Sequence, residues 1–168
     1  MNKDEILEGL MKAIMAEREG HSFYLMAANS TVDPKGREIF ETLAAEELDH
    51  MKFLKGQYDS LLKTGKVDKS LKFGSRSSFA EASPIFSDTL KGRVKEAHFE
   101  MSALSIGIQL ELDAIKFYKS QADLNEDPEI KKFYRDLTDW ESGHYQALHQ
   151  QHEELKQDYW SSGGFSPF

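Results

Sequence analysis

Cysteine is absent from the 168 residues. Its absence removes disulfides, thiolate zinc sites, iron–sulfur clusters and a thiol nucleophile from the chemistry of this chain. Proline is scarce, four in all, so long stretches run without a helix breaker. Apolar runs are short. None reaches the roughly 18 consecutive apolar residues of a membrane span, and Met1-Asn2-Lys3-Asp4-Glu5 shows no apolar segment of a signal peptide. Positive charge is in deficit, with 21 basic side chains against 29 acidic ones and a net charge of −8. That balance argues against nucleic acid as a partner, because phosphate contacts would need basic residues. The expectation is a cytoplasmic protein that does not enter the membrane. What is present is a 39% hydrophobic fraction with 11 Phe, enough for one core in a chain of one-domain length.

Glycine and proline divide the chain unevenly. Residues 3–29 read as a helix, opened by a capping box of Asn2 and Glu5. Asp33-Pro34 reads as an N-cap with proline at the first helical position, starting a second helix over 34–63 that stops at Gly65. Residues 65–97 form a mixed connector, with a short helix expected within 87–95. A third helix covers 98–124. Asp127-Pro128 opens a fourth, running to 159, and the aromatic tail from Trp160 to Phe168 is expected to be non-helical. The domain is therefore 1–159, followed by a tail at 160–168 that carries Trp160, Phe165 and Phe168. Apolar residues recur every three or four positions along each helix, and no strand-like alternation of useful length occurs. The fold class is all-α, a four-helix bundle.

The two halves match at one fixed offset. Adding 94 to positions 7–61 lands on 101–155 without a gap and gives 14 identities in 55 positions. Shared leucines are expected of any two amphipathic hairpins. The recurrence of Glu17/Glu111, Tyr24/Tyr118, Asp33-Pro34/Asp127-Pro128, Glu47/Glu141, His50/His144 and Gln57/Gln151 is not. The chain thus reads as two copies of a helical hairpin. A helix of about 27 residues is about 40 Å long, and a 33-residue connector can return that distance at about 3.3 Å per residue. One long crossover, as in ferritin-like folds, is the resulting topology. A connector of this length could also pass the second hairpin to a neighbouring chain.

Six polar residues occupy slots on the apolar seams. Glu17, Glu47, Glu111 and Glu141 lie where leucine would be expected, and buried carboxylates without partners are costly. Glu47-Leu-Asp-His50 and Glu141-Ser-Gly-His144 each aim a carboxylate and an imidazole from one helix face at one place. Two single Glu and two Glu-x-x-His pairs form the ligand set of di-iron and di-manganese carboxylate bundles. Four carboxylates also balance two divalent ions. The alternative is a buried, hydrogen-bonded Glu/His network without metal. Tyr24 and Tyr118 follow the single Glu residues by two turns on the same face. They read either as groups that bond or feed electrons to the ligands, or as core tyrosines with satisfied hydroxyls. His21, whose mate is Ile115, reads as a core histidine ahead of an extra ligand. Gln57 and Gln151 read as polar filling near a bundle end ahead of a cap on the site. His98, His149 and His152 have no mates and read as peripheral.

Glu17-Arg-Glu-Gly-His-Ser-Phe-Tyr24, Glu47-Leu-Asp-His50, Glu111-Leu-Asp-Ala-Ile-Lys-Phe-Tyr118 and Glu141-Ser-Gly-His144 together resemble the rubrerythrin family of the ferritin-like superfamily, over residues 3–158. The resemblance implies a non-haem centre of two Fe ions, with Mn or Zn as other oxygen- and imidazole-loving candidates. It implies that Glu47 and Glu141 bridge, and that Glu17, Glu111, His50 and His144 are terminal ligands. It further implies reduction of hydrogen peroxide or oxygen, and a homodimer. Two readings stand beside this one: an iron-handling ferroxidase, and a structural or regulatory bundle stabilised by metal. Many rubrerythrins carry a four-cysteine rubredoxin domain. This chain has no cysteine, so the expected electron source is an external donor such as a rubredoxin-like protein, or Fe(II). Typical members also carry a further Glu one turn after the third-helix ligand. Here that position is Ala114, and its mate is Gly20.

Overall fold

The computed structural model of the protein describes residues 2–77 and 84–163. Four long helices dominate: α1 (Lys3–Ser30), α2 (Pro34–Thr64), α4 (His98–Leu124) and α5 (Pro128–Ser162). Between α2 and α4 lie one short helix, α3 (Asp88–Lys91), and a 3-10 turn (Val94–Glu96). These two pieces replace the single short helix expected over 87–95.

The caps follow from local chemistry. Asn2 accepts from the Glu5 amide at 3.0 Å, while Glu5 accepts from the Asn2 amide at 2.7 Å, which completes the capping box. Asp33 and Asp127 cap α2 and α5, each followed by Pro at the first helical position. Gly65 closes α2 with φ +72°, a left-handed conformation that glycine adopts without a Cβ penalty. The tail is a correction: α5 continues through Trp160 to Ser162. No breaker precedes Gly163, so the helix runs on to it. Phe165 and Phe168 lie outside the described residues.

Side-chain pairs fix the directions. Tyr24 meets Glu111 and Tyr118 meets Glu17, so α1 and α4 are antiparallel. Glu46 meets Trp140 and Phe53 meets Phe133, so α2 and α5 are antiparallel as well. Each hairpin is antiparallel too. α2 and α4, the long helices joined by the crossover, therefore run parallel, as do α1 and α5, which is what a crossover running the length of the bundle produces. The fold is the all-α, ferritin-like bundle.

The crossover is pinned at both ends by mates in the repeat. Gln57 bonds both backbone groups of Asp68 at 2.9 Å, and the Gln151 carbonyl oxygen accepts from the amides of Ile85 and Phe86. Neither glutamine reaches the carboxylate layer. Along the way Phe73 packs on Phe53 and Trp140, and Arg76 lies over the Trp140 ring. The crossover thereby covers the α2/α5 side, and among the described residues no such cover lies on the α1/α4 side.

The core is divided in two. One apolar cluster holds Tyr24, Phe40, Leu43, Phe86, Leu104 and Leu148. The other holds Leu10, Ile14, Phe53, Leu54, Tyr118 and Leu137. Each fully buried Leu or Phe contributes about 1.5–3 kcal/mol, and the two clusters together hold a polar layer between them.

Candidate metal centre

That layer contains all six seam residues. α1 supplies Glu17, α2 Glu47 and His50, α4 Glu111, and α5 Glu141 and His144, all of them buried. They form two overlapping groups, Glu17–Glu47–His50–Glu141 and Glu47–Glu111–Glu141–His144, whose ligand atoms lie within 4.8 Å of one another. Glu47 and Glu141 belong to both groups. Each offers one oxygen to each histidine. His50 Nδ1 lies 3.0 Å from Glu141 Oε1 and 3.8 Å from Glu47 Oε2. His144 Nδ1 lies 3.1 Å from Glu141 Oε2 and 3.3 Å from Glu47 Oε1. Glu17 stands 3.3 Å from His50 Nδ1, and Glu111 stands 3.6 Å from His144 Nδ1.

These distances surround two centres with three carboxylates and one imidazole each. Both Glu141 oxygens and Glu47 Oε1 are buried and make no hydrogen bond of acceptable geometry, although nitrogens stand close by. Buried acceptors of this kind are normally satisfied. The donor set fits two divalent ions, which would take up the unused lone pairs and neutralise four carboxylates.

Without metal, the same groups must hold protons. Burial pushes the Glu17 and Glu111 carboxyls up, Glu111 to about 8, and the charge of Glu47 adds to both shifts. Burial would raise Glu47 as well, but the nearby Glu17 carboxyl and the His144 and His50 imidazoles hold it below the ordinary carboxylate range. In Glu141, burial and the charge of Glu47 are outweighed by the two imidazoles. Burial disfavours the imidazolium of His50 and of His144, yet the carboxylates around them raise both. The metal-free layer is thus near neutrality, with two carboxylates and two imidazoliums charged and two carboxyls protonated.

A second ring of residues holds the first. Tyr24 donates to Glu111, and Tyr118 donates to Glu17. The two bonds are exchanged by the 94-residue offset, so the repeat has become a twofold relationship in space. Burial and the adjacent carboxylates raise both phenols. His144 Nε2 lies 2.7 Å from Glu46 Oε2, which also accepts from Trp140 Nε1 at 2.7 Å, and Glu46 Oε1 accepts from the Ser77 amide at 2.6 Å. Burial alone would raise Glu46, but these three donors bring it to about 2.

Glu46 and Trp140 were missed in the sequence because they have no identical mates. The available signal was spacing: Glu46 follows Leu43 by three residues and precedes His50 by four, on the edge of the buried face. His21 donates from Nδ1 to the Ala44 carbonyl, 2.7 Å away, and is a half-buried, bonded histidine outside both groups. His98 and His149 are exposed, and His152 is half-buried beside Ser105.

A cavity of about 190 Å³ opens between α1 and α4. Its floor is Glu17, Glu47, Glu111 and Tyr24, its walls include Ala16, Gly20 and Ala114, and exposed Glu19 and Asp113 stand at the rim. Gly20 brings its backbone close to a shared carboxylate, since a Cβ there would lie 3.4 Å from Glu47 Cδ. A larger cavity of about 430 Å³ lies on the crossover side, behind Phe53, Phe73 and Trp140. Rings of Phe73 and Trp140 pack on His50 and stand between that cavity and the ligands.

Among known proteins, residues 8–152 match the family model of rubrerythrin. That span takes in both hairpins and all six residues of the centre. No curated protein and no solved structure matches the chain. The chain belongs to the rubrerythrin family.

Proposed function

We propose that this member of the rubrerythrin family holds two iron ions and reduces hydrogen peroxide, with electrons from an external donor. The observation that supports this reading is the pair of shared carboxylates, each turning one oxygen to each histidine. When bound, two adjacent irons supply two electrons together, which is the demand of peroxide reduction to two water molecules with uptake of two protons.

The protein side chains set the conditions for this exchange. Glu47 and Glu141, shared by both groups, would hold the two ions. Glu17 and Glu111 close the outer sides, steadied by Tyr118 and Tyr24. Tyr24 lines the α1/α4 cavity, and both phenols act as positioning groups for the terminal carboxylates. The apolar clusters above and below keep water out of the layer. The cavity between α1 and α4 admits a molecule of a few heavy atoms, and Ala114 leaves that space open.

The acidic rim favours a second reading. Glu19 and Asp113 disfavour anions and favour Fe(II) at the same opening, and on this reading Fe(II) is the reductant or substrate and the chain an iron-handling ferroxidase. One experiment separates the two readings. Load anaerobically prepared metal-free protein with Fe(II), count iron per chain, and compare oxidation by peroxide and by oxygen. Two irons with faster oxidation by peroxide support the first reading. Continued turnover of excess Fe(II) with oxygen supports the second, and an iron-loaded centre inert to both oxidants overturns each.

A further inference from the structure

Glu47/Glu141 and His50/His144 are identical mates, but the residues just before the two glutamates are not. Glu46 and Trp140 are related by the same offset of 94 and touch each other through the indole N–H. Each stands behind the histidine of the opposite hairpin. Glu46 accepts from His144 Nε2 at 2.7 Å and is itself fixed by the Ser77 amide and the Trp140 indole. Trp140 meets His50 edge to face, with ring centroids 4.8 Å apart. It offers His50 no acceptor, and among the described residues His50 Nε2 is buried without a hydrogen-bond partner.

Both histidines turn Nδ1 toward the shared carboxylates. A neutral imidazole that ligates through Nδ1 must carry its proton on Nε2. At His144 that proton meets a carboxylate, which fixes the ring and makes it a stronger donor to metal. At His50 the proton is left in apolar surroundings.

We infer that the two metal positions are unequal. The Glu111/His144 position binds its ion more tightly and fills first, and the Glu17/His50 position fills second and empties first. Glu46 is the positioning residue that creates the difference. The inference rests on the two-metal reading above.

Co(II) is the probe. The full-length metal-free protein is titrated anaerobically by calorimetry and visible absorption. The expected result is two resolved steps, differing by roughly 10- to 100-fold in affinity, as is usual when the outer partner of a ligating histidine is lost. Glu46→Gln should weaken the tight step toward the affinity of the weak one and leave the weak step where it was. A purely structural role for Glu46 would shift both steps alike. His144→Gln should remove the tight step and His50→Gln the weak one, and these two variants decide the order even if Glu46→Gln does not fold. Two steps of equal affinity, or loss of the tight step in His50→Gln, would overturn the inference while the two-metal reading stands. No uptake of Co(II) would overturn that reading and the inference together.

Discussion

Tyr24 on α1 donates its hydroxyl across the bundle to Glu111 on α4. Its mate Tyr118 returns the bond from α4 to Glu17 on α1, so the two inter-hairpin contacts at the open side of the layer are the same contact made twice. Tyr24→Phe and Tyr118→Phe should therefore have similar effects. Each leaves a buried carboxyl oxygen short of a donor, at a cost of about 1–3 kcal/mol, visible as a lowered urea midpoint with unchanged slope. Both variants should still take up two irons. If either substitution changes neither stability nor the rate of oxidation by peroxide, the phenols are packing residues only.

A pH dependence follows from the proton load of the metal-free layer. Glu111 is raised from 4.5 to about 8, so between those values the folded state binds more protons than the unfolded one. Stability then falls as pH rises through that window. Glu17 acts in the same direction, and so do His50 and His144, whose raised values place their loss above 6.5. Glu47 and Glu141 are lowered, so they oppose this trend only below about 4.5. The metal-free protein should lose on the order of 2–4 kcal/mol between pH 5 and pH 8. The loaded protein should not, because ligand deprotonation favours metal. Thermal melts at both pH values, with and without Co(II), test this. A metal-free melting temperature that rises from pH 5 to pH 8 would contradict it.

The same bookkeeping fixes the proton count of metal uptake. Carboxyl protons on Glu17 and Glu111 and imidazolium protons on His50 and His144 are displaced when two divalent ions enter. Calorimetry at pH 6 in two buffers of different ionisation enthalpy should find more than two protons released per pair of ions. Release of none would mean that the layer stays ionised without metal.

The sequence and the structure agree wherever the repeat is exact. The six buried Glu and His residues, the reciprocal tyrosines and both Asp-Pro caps are all written as identities at one offset. What the repeat hides is everything that differs between mates. Glu46 and Trp140 share a slot and no chemistry, so no comparison of halves could show that they bond to each other. Gln57 and Gln151 are identical, yet their partners are backbone groups of the unrepeated crossover, which a comparison of the halves cannot show. The expected end of α5 at 159 falls short of the observed one, because Trp160-Ser161-Ser162 contains no breaker. The helix follows its backbone instead, and only Gly163 stops it.

Those glutamines make a prediction about the crossover. Gln151→Leu keeps side-chain volume and removes the acceptor for the Ile85 and Phe86 amides. Two buried donors at the end of the crossover lose their partner, at a cost of about 1–3 kcal/mol. Among the described residues the crossover lies on the α2/α5 side and meets the layer through Ser77 at Glu46 and Phe73 at His50. Iron stoichiometry should therefore hold while proteolysis within 66–86 accelerates. A variant that loses iron but keeps its protease resistance would show that Gln151 serves the centre directly.

The cavity between α1 and α4 gives the sharpest test of access. Ala114 is half-buried on its wall, about one turn beyond Glu111, and makes no polar contact with the ligands. Ala114→Phe places a ring in a space of about 190 Å³ without removing a donor atom. The equilibrium uptake of two Co(II) should survive, since all six ligands remain and their atoms keep their partners. Oxidation of the Fe(II)-loaded protein by peroxide should slow several-fold in stopped-flow traces. Ala114→Ser, which leaves the space open, should react like the parent chain. If the phenylalanine variant reacts as fast as the parent, the oxidant reaches the layer by another route, and the 430 Å³ cavity behind Trp140 becomes the place to block next. If it instead loses metal at equilibrium, the ring has displaced Glu111 or Glu47, and the smaller Ala114→Val, read by the same two measurements, decides between blockage and displacement.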